Sequence, residues 1–249
     1  MTTVNPVAKL GAALLLAVCL VLSIDWVSAS VALALELVAF AFIRLPPRVF
    51  WVRTLSVWVA APLTGVTIAL YGQTEGQVYV EFAFARVSEG SITLAIATVL
   101  RVLAIGLPAV VLFVTVDPTE LADGLAQRVG LPARFVLGAL AGMRLVSLFL
   151  EDWRALELAR RARGVSDTAR LRRLAGQAFA MFVLSLRRGT SLATAMEARG
   201  FGASVERTWA RESPWAAREW LVLAAGLAIG LVSLAAAVAS GRWNFIVGQ

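Results

Sequence analysis

The sequence of 249 residues contains no histidine, one cysteine (Cys19) and one lysine (Lys9). Without histidine, the chain lacks the commonest general base, proton shuttle and metal ligand of proteins. A lone cysteine in an apolar run excludes a disulfide framework and a thiolate metal site. The sequence also has no Gly-x-x-x-x-Gly-Lys-Ser/Thr loop of the kind that cradles nucleotide phosphates. We therefore expect a chain that is not a nucleotide-binding subunit and that holds no metal or other cofactor.

Charge is scarce as well. Charged residues make up 16% of the sequence, whereas hydrophobic residues make up 59%. A soluble domain is usually about a quarter charged and less than half apolar. The composition therefore indicates a multi-pass membrane protein, in which helices satisfy the backbone inside the bilayer. The predicted fold class is an all-α membrane protein, with room for roughly five to seven spans.

The positive charge is concentrated in one part of the chain. Residues 128–211 hold fifteen arginines against six acidic residues, whereas the rest holds eight basic and ten acidic residues. Such a basic block is typical of nucleic-acid binding or of the cytosolic side of a membrane protein. No aromatic platform or nucleic-acid-binding signature accompanies the arginines, so we expect contact with the lipid bilayer and no nucleic-acid partner.

Five apolar runs predict five strong transmembrane helices. The runs are residues 10–24, 27–43, 54–71, 91–116 and 220–240. The first run is compatible with a signal peptide, but the second run follows at once and favours a retained span. Residues 135–150 and 174–186 are also apolar, and the sequence leaves open whether they enter the bilayer. Residues 78–84 are too short to span and suit an interfacial or re-entrant segment.

The loops between these runs alternate in charge. Because arginine-rich loops face the cytosol, the N-terminus, residues 44–53 and residues 117–219 are expected inside. The acidic loop of residues 72–90 and the C-terminus are then expected outside. We therefore predict N-terminal transmembrane helices in 1–116, a cytosolic coupling-helix region in 117–219, and a C-terminal helix with an external tail in 220–249. The expected location is the plasma (cell) membrane.

Helix signals divide the cytosolic region. Asp117 caps a short helix that ends before Pro132, where a long helix begins. This long helix stops at Gly164. Asp167 then caps a second long helix, which stops at Gly200. Each long helix has about 32 residues and is about 48 Å long at 1.5 Å per residue.

Both long helices end in the same tripeptide, Ala-Arg-Gly. The copies are Ala162-Arg163-Gly164 and Ala198-Arg199-Gly200. Glycine lets the chain leave the helix through a left-handed conformation, alanine keeps the tip thin, and arginine can engage a carboxylate with two donors. One copy alone is also the ordinary way to end a helix, because cations suit the negative end of the helix dipole. Two copies on one side of a membrane favour a pair of charged tips that grip two similar partners.

Other parts of the sequence share this context. They are Asn5-Pro6 with Lys9, Asp117 to Leu121, Gly130 to Pro132, Ala159 to Gly164, Ser185 to Arg188, and Ala195 to Phe201. On these residues the chain resembles the transmembrane T component of energy-coupling factor (ECF) transporters, the CbiQ/EcfT family of importers of the ATP-binding cassette (ABC) type. The resemblance covers most of the chain and is strongest over residues 117–202.

The resemblance implies a scaffold that joins two cytosolic ABC-type ATPases to a substrate-binding membrane subunit, the S component. Each Ala-Arg-Gly tip would sit in a groove of one ATPase. The ATPase-coupling residues implied in this way are Ala162, Arg163, Gly164, Ala198, Arg199 and Gly200. ATP and Mg would bind the partner ATPases, and this chain would not be an enzyme. The imported substrate would be a vitamin, a vitamin precursor or a transition-metal ion, chosen by the S component.

Two other functional classes compete with this one. A stand-alone secondary permease or channel would use broken helices or an acidic relay at mid-membrane, and Glu36 is the only deeply placed acid. An intramembrane enzyme would use histidine or paired intramembrane acids, which the sequence lacks. Asp152 beside Glu151 has no nucleophile or metal ligand nearby, so we expect no catalysis there.

The remaining charges have structural interpretations. Arg101 and Arg144 lie within or near apolar runs, where an ion needs a partner or an escape route to water; for Arg101 this means snorkelling or pairing. Glu157 and Arg161 have the i,i+4 spacing of a helical ion pair. Seven arginines are expected to form a collar near anionic headgroups. They are Arg160, Arg161, Arg170, Arg172, Arg173, Arg187 and Arg188.

Overall fold

The computed structural model describes residues 4–23, 25–43, 47–72, 77–82, 85–164, 170–203 and 208–241. Within these ranges the chain forms eight α-helices and a two-stranded antiparallel hairpin. In chain order the elements are α1 (Pro6–Val21), α2 (Trp26–Ile43), α3 (Pro47–Tyr71), β1 (Val78–Phe82), β2 (Ala85–Ser88), α4 (Glu89–Val114), α5 (Pro118–Gln127), α6 (Ala133–Ala162), α7 (Arg170–Ala198) and α8 (Ala217–Ala239). The predicted all-α membrane fold is confirmed.

Four helices in the described part of the chain are long and apolar enough to cross a membrane: Phe50–Tyr71 within α3, α4, α6 and α8. The apolar helices α1 and Trp26–Ala41 of α2 are shorter. At 16 residues, α1 is about 24 Å long, less than the ~30 Å hydrocarbon core. The five expected runs form the helices α1, α2, α3, α4 and α8, and the apolar run 135–150, which the sequence left open, lies within the continuous helix α6.

The chain divides into two compact units, Met1–Leu121 with Ser213–Gln249, and Ala122–Glu212. In the first unit, α1 and α8 approach closely through small residues. A methyl group on Gly226 would lie 2.7 Å from the Ala12 carbonyl oxygen, and one on Gly230 would lie 2.7 Å from Cys19 Cβ. Glycines four residues apart let membrane helices pack backbone to backbone. Since the contacts advance in the same direction on both helices, α1 and α8 run parallel.

This close approach predicts a sharp effect of one methyl group. We expect Gly226→Ala to destabilise the protein, because the added Cβ meets the backbone of Ala12 and the two helices must separate. Gly142→Ala is the matched control, since a Cβ there meets nothing within 4 Å. That change should be neutral or stabilising by up to about 1 kcal/mol, the helix preference of alanine over glycine. Thermal unfolding of both variants in detergent tests the contrast, and equal midpoints would contradict it.

The N-terminus is fastened to the start of α8 by Asn5, which is 5% exposed. Its backbone N–H donates to Glu219 Oε1 (3.3 Å), and its Nδ2 donates to Ser213 Oγ (2.7 Å) and to the Pro214 carbonyl (3.0 Å). Its Oδ1 accepts from the Val7 N–H (3.0 Å) and caps α1. A buried polar side chain is tolerated here because its donors and its acceptor are satisfied.

A second anchor joins α1 to the end of α4. The Nζ of the buried Lys9 donates to the carbonyl oxygen (3.1 Å) and the Oγ1 (2.8 Å) of Thr115. Together with Asn5, this places the N-terminus, the end of α4 and the start of α8 at one end of the first unit. The sequence predicts the same grouping. Which side of the membrane this end faces stays a prediction.

The α3 and α4 helices pack antiparallel around a core of Ala61, Leu103 and Leu107. Their direction follows from two glycine contacts, because Gly65 faces Val99 while Gly106 faces Val57. Small residues at these crossings bring the two backbones together, as in other membrane helix pairs. In the first unit, α2 packs against both α4 and α8 and so links this pair to the α1–α8 pair.

The segment expected to lie in the interface or re-enter the membrane forms β1 of a hairpin. Its strand pairs with β2 and sets Glu81 opposite Arg86. Alternating β-branched and aromatic residues in Val78–Phe82 favour strand over helix. The hairpin leads into α4 through a capping box, in which the Ser91 N–H donates to Ser88 Oγ (3.2 Å) and the Ser88 N–H donates to Ser91 Oγ (2.9 Å).

The helix start and stop signals expected around α5 are present. Asp117 Oδ1 accepts from the N–H groups of Thr119 (2.7 Å) and Glu120 (3.3 Å), which caps the helix. After α5 the chain turns at Gly130, whose φ is +75°, and α6 begins directly after Pro132. The expected cap of the following helix, Asp167, lies outside the described residues.

Candidate functional site

The α6 helix ends at Ala162 after 30 residues, and Arg163 is its C-cap. Gly164 then takes a φ of +66°, a left-handed conformation that glycine adopts without strain. The Gly164 N–H donates to the Arg161 carbonyl (3.0 Å), and the Arg163 N–H donates to the Ala159 carbonyl (3.2 Å). The last turn is therefore closed on itself, and the chain leaves the helix abruptly.

The α7 helix ends in the same way at Ala198 after 29 residues. Gly200 has a φ of +77°. Its N–H donates to the Glu197 carbonyl (2.9 Å), and the Phe201 N–H donates to the Met196 carbonyl (3.0 Å). This pair of bonds is the Schellman motif. The two helix ends, 36 residues apart in the chain, share a left-handed glycine whose N–H donates to the carbonyl three residues back.

We call Ala162–Gly164 the α6 tip and Ala198–Gly200 the α7 tip. All six residues are exposed. A Cβ added to either Gly164 or Gly200 would meet nothing within 4 Å, so there is open space at the glycine of each tip. Neither Arg163 nor Arg199 has an ion-pair partner among the described residues. With respect to the described residues, each tip therefore presents a guanidinium without a counter-ion, which can bind a carboxylate with two parallel hydrogen bonds.

Behind the tips, α6 and α7 are joined by an ion pair between Asp152 and Arg188. Arg188 donates from Nη1 to Asp152 Oδ2 and from Nη2 to Asp152 Oδ1 (3.1 Å), so the contact is bidentate. The Asp152 side chain is 22% exposed and the Arg188 side chain is 36% exposed. Each tip arginine lies eleven residues beyond its own brace residue, or about 16 Å along the helix. Both helices therefore extend for the same number of residues from the Asp152–Arg188 contact to their tip arginines.

Two further contacts reinforce this crossing. Arg160 donates from Nη2 to the Gly176 carbonyl (2.9 Å) and from Nη1 to the Arg173 carbonyl (3.3 Å). The buried Gln177 donates from Nε2 to the Trp153 carbonyl (3.2 Å). A side chain that hydrogen-bonds to the backbone of a neighbouring helix fixes how far away that helix lies and how far it is shifted along its axis. We call the contacts of Asp152–Arg188, Arg160 and Gln177 the α6–α7 brace.

The brace corrects part of the sequence interpretation. Arg160 and Arg188, which were expected in a headgroup collar, bond to the other helix of the pair instead. Asp152 holds Arg188, a structural partnership that its sequence context with Glu151 did not reveal. The predicted pair of Glu157 and Arg161 is confirmed, with 2.5 Å between Oε1 and Nη2.

Breaking the brace should loosen the tips without unfolding the protein. We expect Asp152→Asn to cost about 1 kcal/mol or less, because the ion pair is partly exposed to solvent. Spin labels at residues 162 and 198 should then show a broader distance distribution. The double variant Asp152→Arg/Arg188→Asp restores the ion pair with the charges exchanged. It should narrow the distance distribution again. An unchanged distribution in Asp152→Asn would show that the ion pair does not set the geometry of the helix pair.

Two charged residues in the first unit have buried polar atoms. Both carboxylate oxygens of Glu36 and the Nε and Nη2 atoms of Arg101 lack a hydrogen-bond partner among the described residues. The sequence predicts that Arg101 either pairs or snorkels to water. Its buried Nε and Nη2 atoms do neither with respect to the described residues. Arg144, by contrast, is exposed. The described residues contain no cluster of three His, Cys, Asp or Glu side chains able to hold a metal ion.

The fold defines a multi-pass α-helical membrane protein that carries two braced helices with exposed cationic ends. Its residues 1–209 match the family model of CbiQ, described as "cobalt transport protein". It is 28% identical to the energy-coupling factor transporter transmembrane protein EcfT of Bacillus selenitireducens, over 88% of this chain and 86% of that relative. It is 26% identical to the EcfT of Brevibacillus brevis, over 96% of this chain and 92% of that relative.

A third relative extends the comparison. The EcfT of Limosilactobacillus fermentum is 26% identical over 78% of this chain and 77% of its own length. The chain thus belongs to the CbiQ family and is a transmembrane (T) component of an ECF transporter. The resemblance drawn from the sequence motifs is confirmed. The matched region includes the brace and both tips.

Proposed function

We propose that this T component transmits ATP-driven motion from two cytosolic ABC-type ATPases to a substrate-binding S component in the membrane. The observation that carries the proposal is the pair of exposed tips, which both end in a left-handed glycine and each present an arginine without an ion-pair partner among the described residues. Two equal cationic ends suit two similar partners that offer carboxylates in grooves. The coupling residues proposed are those of the α6 and α7 tips.

The mechanism is mechanical. An α-helix is stiff along its axis because every turn is hydrogen-bonded to the next. When the ATPases close on ATP, the two tips move with them, and the displacement passes along α6 and α7. The brace couples the two helices, since Asp152 and Arg188 hold them at one crossing. The motion is thereby delivered to the S component as a joint movement of both helices.

The partners supply the remaining chemistry. ATP and Mg bind the ATPases, and the S component selects the substrate, a vitamin, a vitamin precursor or a transition-metal ion. The "cobalt transport protein" description of the family supports a substrate of this kind. Purifying the chain with its native partners, and identifying both the co-purifying proteins and the bound small molecule, tests this assignment. Recovery of the chain free of ATPases would speak against it.

The proposed location is the plasma membrane, with both tips in the cytosol. The fifteen arginines of residues 128–211 support this sidedness, because arginine-rich segments are retained on the cytosolic side. Cysteine labelling in a Cys19→Ala background tests it at two exposed positions. We expect Gln77→Cys to react with an impermeant reagent from outside, and Leu171→Cys to react only after permeabilisation. The reverse pattern would invert the proposed topology.

A further inference from the structure

The second unit contains an open groove with a volume of about 900 Å³. One wall is the N-terminal half of α6, and the other is the end of α7 with the residues that follow it. The groove lies on the opposite part of α6 from the α6 tip, and only the α7 tip reaches it. The mechanism proposed above therefore uses one edge of the groove and leaves the rest unexplained.

The groove is lined by apolar side chains along its length. They include Leu137, Leu140, Leu145 and Leu148 of α6, with Leu192 and Met196 of α7. In α6, the most apolar 18-residue window is only 6% buried inside the protein. Exposed apolar surface of this extent is costly in water and is normally covered by lipid or by another protein. An occupant of the groove must therefore have an apolar part.

The rim of the groove carries charge of one sign. Arg134, Arg144 and Arg199 belong to the lining, and the lining has no aspartate or glutamate among the described residues. All three arginines are exposed, and none has an ion-pair partner in the described part of the chain. Arg134 stands over the ring of Phe135 at 4.9 Å, which holds its guanidinium in place. The occupant must therefore also have an anionic part.

We propose that this groove binds one anionic phospholipid. The phosphate is bound by Arg134 and Arg144 at the rim, an acyl chain lies along the leucines of α6, and Arg199 at the edge of the groove stays available to the ATPase. A phospholipid carries both required features in one molecule, and it surrounds a membrane protein at high local concentration. Arginines at the bilayer surface attract anionic headgroups, and their planar donors match phosphate oxygens. A zwitterionic lipid lacks the net charge that Arg134 and Arg144 select.

Titration of the purified full-length chain with phosphatidylglycerol or phosphatidylcholine, read by native mass spectrometry, tests the proposal. We expect the wild type to bind phosphatidylglycerol more tightly. The double variant Arg134→Gln/Arg144→Gln should weaken that binding about tenfold, since each arginine contributes to headgroup attraction. The matched control is Arg154→Gln/Arg211→Gln, which removes the same charge from two exposed arginines outside the groove and outside the expected headgroup collar. The control should bind as the wild type does.

Several results would overturn the proposal. Equal affinity for both lipids would show that charge does not select the occupant, and equal weakening in the control would show a diffuse effect of net charge. Loss of the phosphatidylglycerol preference on adding millimolar inorganic phosphate would mark the site as one for a free anion. In the assembled complex, cross-linking of Leu148→Cys to a partner subunit would assign the groove to a protein. Arg199 stays unchanged in every variant, so these results are independent of ATPase docking.

Discussion

Replacing both tip arginines by glutamate, as Arg163→Glu with Arg199→Glu, is expected to abolish stable association with the ATPases and to abolish uptake. Each tip offers an exposed guanidinium at an abrupt helix end. Under the proposed mechanism this charge is buried against an ATPase carboxylate, and loss of one partner from such a pair costs about 3–5 kcal/mol. Glutamate adds repulsion to that loss. Pull-down of the ATPases with the double variant, together with substrate uptake by cells, measures the effect.

The single variants Arg163→Glu and Arg199→Glu separate ATPase binding from the coupling of ATP hydrolysis to uptake. With one tip intact, we expect a complex that assembles but transports slowly, because the remaining contact keeps the second ATPase at high effective concentration. Arg154→Glu with Arg172→Glu is the matched control, as it imposes the same charge change on exposed arginines away from the tips. Wild-type pull-down yield and unchanged uptake in Arg163→Glu/Arg199→Glu would mean that these arginines only end their helices.

Liposomes that contain only this chain are expected to show no transport of a vitamin or metal ion and no ATP hydrolysis. The sequence has no phosphate-binding loop and no histidine, so neither nucleotide chemistry nor an imidazole relay is available. Adding two ATPases and one S component should restore uptake in proportion to the ATP hydrolysed. Radiolabelled substrate and phosphate release, measured on the same vesicles, test both parts.

The stand-alone permease is the competing outcome of that experiment. Its supporting feature is Glu36, a buried carboxylate without a hydrogen-bond partner among the described residues, since intramembrane acids often mark ion pathways. Saturable uptake by the lone chain, driven by a proton or ion gradient and lost in Glu36→Gln, would favour the permease. Under the coupling mechanism, Glu36→Gln leaves ATP-driven uptake by the complete transporter intact.

The helix ends could be predicted because their signals are local. A glycine after an arginine-rich turn predicts where a helix stops, and both tips form at the expected residues. Asp117 as a cap is a signal of the same kind. Local signals of this type involve residues within one turn, so a single sequence contains all the information they need.

The brace could not be predicted, since its residues are far apart in sequence. Asp152 and Arg188 are 36 residues apart, and each has several charged neighbours with equal claim as partners. The close approach at Gly226 and Gly230 does have a sequence signal, because glycines four residues apart are typical of membrane helix interfaces.

The lengths of α1 and α6 could not be read from hydropathy, for a physical reason. Hydropathy along the sequence measures length and apolarity of a run, whereas crossing a membrane also depends on where a helix begins and ends. Caps at Asn5 and beyond Val21 shorten α1, while α6 extends the apolar run 135–150 into a helix of 30 residues. Tertiary contacts such as those of Asn5 with Glu219 set these limits.

Cross-linking from the tips tests the coupling mechanism most directly. Ala162→Cys and Ala198→Cys, each in a Cys19→Ala background, place a thiol one residue before each tip arginine without removing it. In the purified transporter we predict that each thiol cross-links to an ATPase subunit, and that the yield changes when ATP is added. Cross-links from both positions only to the S component or to lipid, with none to an ATPase, would contradict the proposed mechanism.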